Sequence, residues 1–179
     1  MLAGKTALVT GASKGVGKGI ALALARAGCD VAVNYHSNEA GARSTAAEIE
    51  SLGRKALVVG GHVGRSQDVD AMLARAVSAF GRLHIWVNNA GVQTWKSLLD
   101  LDEAEWDRVI TTNLKGTFLC TQRAARHMKE FGGGRAPQHL PDSRALKREA
   151  RMGLDSRREP FLNPPPNART ALAKSRCLP

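Results

Sequence analysis

Four short runs of apolar and β-branched residues punctuate the chain up to Asn88: Lys5–Thr10, Asp30–Tyr35, Ala56–Val59 and His84–Asn88. Between them lie longer stretches in which apolar residues recur every three or four positions. The first pattern predicts buried strands and the second amphipathic helices. Helices are read over Gly19–Ala27, Glu39–Leu52 and Gln67–Phe80. Each is followed by a glycine (Gly28, Gly53, Gly81) where the backbone must leave the helix with φ > 0. Two further helical segments follow, Asp102–Thr112 and Asn113–Phe131. The first opens on Asp102, Glu103 and Glu105, acids that suit the positive end of a helix dipole. Strand and helix in regular alternation predict an α/β fold, a doubly wound parallel sheet with helices on both faces.

The alternation stops after Phe131. All seven prolines lie beyond Arg135, and seventeen of the eighteen glycines lie at or before Gly134. The tail mixes Pro164-Pro165-Pro166 with Arg-rich pieces such as Ser156-Arg157-Arg158. Its best element is a short helix over Ser143–Arg151 with too few apolar positions to bury. Residues 136–179 therefore read as a Pro/Arg-rich, mostly disordered tail behind an ordered region of residues 1–135. Because arginine and proline have many GC-rich codons, the abrupt break also raises the expectation that this tail is the out-of-frame reading of a coding region.

Composition changes this picture little. The chain is 43% apolar and 23% charged, as a soluble globular protein is. A net charge of +10 would point to nucleic acid. Half of that excess sits in the tail, with nine Lys/Arg against four Asp/Glu and a single aromatic, Phe161, for base stacking. Nucleic acid is not an expected partner. No apolar run reaches the eighteen or so residues of a membrane span, and Met1–Thr10 shows no cleavable leader, so a cytoplasmic protein without membrane attachment is expected. Cys29, Cys120 and Cys177 lack the spacing of a metal or dithiol site and read as reduced thiols.

The chemistry concentrates at two strand ends. Thr10-Gly11-Ala12-Ser13-Lys14-Gly15-Val16-Gly17 joins the first strand to a helix. Gly11 allows a sharp turn, Gly15 keeps a side chain away from a pyrophosphate, and Gly17 permits close helix–strand contact, with the anion at the helix N-terminus. Asn88-Asn89-Ala90-Gly91 ends the fourth strand, on the edge of the sheet where open α/β folds bind ligands. The two motifs should face one crevice.

With these motifs the chain resembles the short-chain dehydrogenase/reductase family, and within it the glucose 1-dehydrogenase type. Phe80-Gly81-Arg82-Leu83 and Asn113-Leu114-Lys115-Gly116 extend the resemblance over about residues 1–135. It implies a Rossmann-type NAD(P)-binding domain, and an oxidoreductase moving hydride between a nicotinamide cofactor and an alcohol or carbonyl, with sugar or polyol favoured. It implies that Ser13, Lys14 and Val16 line the phosphates and ribose, that Asn89, Ala90 and Gly91 lie along the adenosine and nicotinamide ribose, and that Val63 and its neighbour His62 lie at the adenine. Asn113 would hold a water in a proton relay. It further implies a homo-oligomer with the Asn113–Phe131 helix in a subunit interface.

The second strand ends Asn34-Tyr35-His36-Ser37, with no acid to accept from both hydroxyls of an adenosine ribose. Lys14 and His36 offer positive charge for a 2′-phosphate, so the sequence leans to NADP over NAD. His62 and His84 stand where the family usually has aspartate; neither is assigned to catalysis or to a metal.

What the resemblance does not carry is the catalytic pair. The family relies on a tyrosine as general acid/base and a lysine four residues later. The single tyrosine here, Tyr35, ends the second strand and is followed four residues later by Glu39. Ser143 with Lys147 sits at a tempting distance beyond Arg135, but Pro141, Asp142 and Arg144 do not suit a buried strand. The expectation is a C-terminally truncated, inactive copy of marginal stability, with one side of the fourth strand unpaired. The alternative is a non-catalytic nucleotide-binding protein, or a partner of an intact homologue.

Overall fold

The computed structural model describes residues 2–136. Four strands form one parallel sheet in the order β3-β2-β1-β4: β1 (Thr6–Val9), β2 (Asp30–Tyr35), β3 (Ala56–Gly60) and β4 (Ile85–Val87). β2 pairs with β1 through Thr6 opposite Asp30, and with β3 through Val31 opposite Ala56. β4 lies on the other flank of β1, with Ala7 opposite Ile85. The connecting helices are α1 (Gly15–Arg26), α2 (Glu39–Ser51) and α3 (Ser66–Phe80). After β4 come α4 (Glu103–Val109), a π-helical segment at Ile110–Lys115, and α5 (Gly116–Glu130).

The period-two pattern of the strands divides the core into two layers. Ala7, Val9, Val31, Val33 and Val87 turn to one face and bury against Ala21, Ala25, Ala42 and Ile49 of α1 and α2. Leu8, Ala32, Val59 and Trp86 turn to the other and bury against Val69, Met72 and Ala76 of α3 and Leu119, Cys120 and Ala124 of α5. Strands buried on both faces are why these runs are continuously apolar rather than alternating.

β2 has the boundaries that the sequence predicts, and the other strands and the first three helices lie within a few residues of theirs. α1 begins at Gly15, four residues earlier than the apolar periodicity suggests. Glycine has low helix propensity, but here tertiary contact overrides it. The two helical segments after β4 form one rod through the π-helical insertion. A larger difference concerns β4. Its outer side is not wholly unpaired, because the Trp86 N–H donates to the Arg135 carbonyl at 3.0 Å and the Arg135 N–H to that of His84 at 2.9 Å. The chain thus returns to the sheet at residue 135 as a further parallel neighbour of β4. The short helix expected over Ser143–Arg151, the Ser143/Lys147 pair and the tail reading lie outside the described residues.

Candidate functional site

The strand order reverses between β1 and β4: the chain winds outward through β2 and β3, then crosses back to the far side of β1. A crevice at such a switch point, outside the carboxyl ends of the strands, is where open α/β sheets bind ligands. One of about 410 Å³ lies there. Gly11, Ser13, Lys14, Gly15, Val16 and Gly17 line one wall; Asn34, His36 and Val63 stand at the ends of β2 and β3; Asn89, Ala90 and Gly91 line the β4 side. Ser37, Asn38, Gly61, His62, Val92 and Thr112 complete the lining.

Thr10 ties the two motifs together. Its hydroxyl donates to the Val87 carbonyl at 3.1 Å and accepts from the N–H groups of Asn89 at 2.9 Å and Ala90 at 3.0 Å, using its full hydrogen-bonding capacity. In return, Asn89 Nδ2 donates to the carbonyls of Thr10 at 2.8 Å and Gly11 at 3.2 Å. A β-carbon at Gly17 would collide with that same Asn89 amide and with the Gly11 carbonyl. Glycine is therefore needed there for close approach of α1. Gly15 differs: it has φ +55°, and a β-carbon there would meet no protein atom within 4 Å. It would instead project from a residue that lines the crevice. Lys14, at the N-cap of α1, makes no side-chain capping bond. The combination opens the N-terminus of α1 to the crevice, an arrangement that suits an anion in general.

Asn34 lines the crevice but spends its amide inward. Its Oδ1 accepts from Gly11 N–H at 3.2 Å, and its Nδ2 donates to the carbonyls of Val59 at 3.1 Å and Gly61 at 3.2 Å. It is 2% exposed and holds the glycine turn in place. Asn113 lies in the π-helical segment and is not among the lining residues. Its side-chain amide clamps the backbone of Val92, accepting from the N–H and donating to the carbonyl, each at 2.9 Å. The clamp fixes the loop that follows Gly91. Gly116 lets this segment settle onto Val63, since a β-carbon there would overlap the valine side chain.

No Asp or Glu lines the crevice; its charged or titratable side chains are Lys14, His36 and His62. The His36 and His62 rings meet edge to face, centroids 4.7 Å apart. Burial, with the neighbouring His36 and Arg65, pushes His62 below the usual imidazole pKa. His84 is structural: its Nδ1 accepts from Thr6 N–H at 3.2 Å. Tyr35 does not line the crevice. A hydrogen bond to Glu39 raises its pKa, the opposite of what a tyrosine general acid/base near neutral pH requires. Burial pushes the Cys120 thiol up to about 12, so it is unreactive. The lining residues that the sequence did not single out, Ser37, Asn38, Gly61, Val92 and Thr112, sit in loops or the π-helical segment, where no periodicity marks them. Asn38 had a signal of another kind, the position before a helix; its Oδ1 accepts from Gly41 N–H at 3.0 Å.

Parallel strands wound in both directions from β1, with a glycine turn and an asparagine turn sharing the switch-point crevice, define a Rossmann-type fold. The chain belongs to the short-chain dehydrogenase family, whose family model matches residues 5–136. Among curated relatives, the 3-oxoacyl-[acyl-carrier-protein] reductase FabG of Staphylococcus aureus is 45% identical over 124 residues, covering 69% of this chain and 50% of that protein. The L-rhamnose 1-dehydrogenase (NAD(P)(+)) of a Sphingomonas species is 40% identical over 134 residues, covering 75% and 53%. A solved short-chain alcohol dehydrogenase from Sinorhizobium meliloti matches with a TM-score of 0.74 and 42% identity, over 76% of this chain and 54% of that one. The chain spans about half the length of the curated relatives it matches. No helix among the described residues is long and apolar enough to cross a membrane.

Proposed function

We propose that residues 1–135 form the NAD(P)-binding part of a short-chain oxidoreductase that moves hydride between a nicotinamide cofactor and an alcohol or carbonyl. The observation that carries this reading is the glycine turn that lines the switch-point crevice opposite Asn89-Ala90-Gly91, with Gly15 at φ +55° and no protein atom within 4 Å of where its β-carbon would stand. Gly11, Ser13, Lys14, Val16 and Gly17 would hold the phosphates, and Asn89, Ala90 and Gly91 the riboses. His36 and Val63 would stand at the adenosine end, while Asn34 acts through the turn it holds. When bound, the nicotinamide would supply the hydride chemistry; Asn113, which clamps the Val92 backbone, is our candidate to hold the relay water. The absence of a ribose-binding acid among the lining residues, with Lys14 and His36 present, supports NADP over NAD. The family's sugar-acting members include the rhamnose dehydrogenase above, which supports a sugar or polyol substrate.

By itself the chain is proposed to bind cofactor without turning over. Its single tyrosine ends β2, is not among the residues lining the crevice, and has its pKa raised by Glu39. Isothermal titration calorimetry with NADPH and NADH, followed by a polyol-dependent assay of nicotinamide reduction, tests both halves. Saturable binding with NADPH favoured and no turnover is expected. Turnover that Asn113→Ala abolishes would refute the inactive reading, and no binding of either nucleotide would refute the dinucleotide site.

A second reading has its own observation. Leu114 and Phe118, one helical turn apart, are 65% and 58% exposed. That apolar surface on the Asn113–Phe131 helix supports pairing with an intact homologue or with a second copy, which sedimentation of mixtures would detect. The tail is proposed to be an out-of-frame reading, on the strength of the composition break at Arg135. Translation of the coding DNA beyond that codon in the other two frames should show a β-branched strand ending in serine, then Tyr-x-x-x-Lys on a helix. If neither frame holds them, the tail is native sequence.

A further inference from the structure

His84 directly precedes β4, at the end of the sheet away from the crevice, and is held from three sides. Its N–H donates to the Thr6 carbonyl at 3.1 Å, its carbonyl accepts from the Arg135 N–H at 2.9 Å, and its ring Nδ1 accepts from the Thr6 N–H at 3.2 Å. The same short segment grips the returning chain a second time, through Arg82 Nη2, which donates to the Gly133 carbonyl at 2.8 Å. We propose that His84 is a pH-sensitive latch at the entry to β4: the neutral ring ties β1, β4 and the Arg135 return together, and the protonated ring lets the return open.

An Nδ1 that accepts a backbone N–H carries no hydrogen, so the closed latch requires the neutral imidazole with its hydrogen on Nε2. Protonation turns Nδ1 into a donor. The ring can then donate to Thr6 Oγ1, 3.0 Å away, but the Thr6 N–H, on a residue only 6% exposed, loses its acceptor. The surroundings oppose the charge as well. Lys5 from the approach to β1, Arg82 from the same segment and His127 from α5 all disfavour an imidazolium, and among the described residues no carboxylate offsets them. Burial is the largest cause, and together they hold the His84 pKa below the usual imidazole value. Neither neighbour offers an alternative partner: His127 Nε2 is committed to the Leu83 N–H at 3.1 Å, and Arg82 Nε is itself a buried donor without an acceptor. The element able to give way is the return. It meets the sheet through a single bridge between Ile85 and Arg135, on the outer side of β4, and can part without separating any other pair of strands.

Because the folded-state pKa lies below the unfolded one, the neutral ring contributes fully above about pH 6.5, and its contribution is lost as pH falls from there towards the folded value. Amide hydrogen exchange followed by NMR on the full 179-residue chain, expressed as protection factors between pH 7.5 and pH 5, reads the latch residue by residue. The Thr6 and Arg135 amides should lose protection several-fold below pH 6.5, against a ceiling of about tenfold per pH unit for one proton. Arg135 should also be far less protected throughout than Val31, whose N–H donates to the Lys55 carbonyl at 2.9 Å in the interior of the sheet. His84→Asn, whose Oδ1 can accept from the Thr6 N–H at any of these pH values, should keep the protection seen at pH 7.5 and remove the loss. His84→Asp, with a carboxylate in the same place, is the second variant and should behave likewise, and the His84 ring resonances of the unaltered chain should titrate together with the loss. Protection that holds steady down to pH 5, a loss that persists in the variants, or an Arg135 amide as protected as that of Val31 overturns the proposal; the last would mean that the return parts only when the whole sheet unfolds.

Discussion

Gly15 concentrates two demands in one residue, a left-handed backbone and an empty space beside it. Gly15→Ala should therefore act through both. A β-carbon at φ +55° costs about 1 kcal/mol of stability, measurable by urea unfolding, and the proposed site would place the methyl group against the pyrophosphate. NADPH affinity should fall at least tenfold, on the order of 1.4 kcal/mol. Unchanged affinity would mean that the phosphates do not cross Gly15. This residue was legible without coordinates, because glycine spacing after a strand has few other physical uses. Asn34 was not. As a polar residue at the end of a strand it reads as a ligand contact, yet its buried amide serves the Gly11 turn and β3. A side chain's direction depends on which partners surround it, and those come from distant parts of the chain.

Among the elements, β2 was the most readable, a six-residue, mostly apolar run whose ends the sequence marks. Its first residue also locks the neighbouring strand: Asp30 Oδ1 accepts from the Lys55 N–H at 2.9 Å and from the Arg54 Nη2 at 2.9 Å. Burial alone would raise the Asp30 pKa, but the Lys55 N–H and the Arg54 guanidinium overcome it and lower the pKa. A depressed carboxylate adds stability above its unfolded pKa, and that stability fades as pH falls through the folded value. Asp30→Asn should thus cost about 1 kcal/mol near pH 7, and the difference should shrink below about pH 4. Urea midpoints at pH 7 and pH 3 test this; a difference that persists at pH 3 would assign the effect to packing instead. The π-helical segment at Ile110–Lys115 was the least readable element. Its residues have helical periodicity on either side, and the extra backbone residue is accommodated by contacts of Asn113 with Val92 and of Gly116 with Val63.

For the molecule as a whole, a cofactor that binds the folded state must stabilise it. At about 100 times its dissociation constant, NADPH should add about 2.7 kcal/mol, which for a chain of this size raises the melting temperature by roughly 5–10 °C. Thermal unfolding with and without NADPH measures it. No shift at saturating NADPH would contradict a preformed site.

The sequence by itself determined the alternation of strand and helix, the parallel class of the sheet, and the glycine and asparagine turns, since each follows from local periodicity or from a backbone demand that a single residue type meets. Only the tertiary structure decided that Arg135 extends the sheet beside Ile85, that Thr10 joins the two turns, and that the His36 and His62 rings meet in the lining of the crevice. Each of these contacts joins residues from 26 to 80 positions apart along the chain. No local pattern encodes such a meeting, because it is set by the strand order and by how closely the helices can settle onto the sheet.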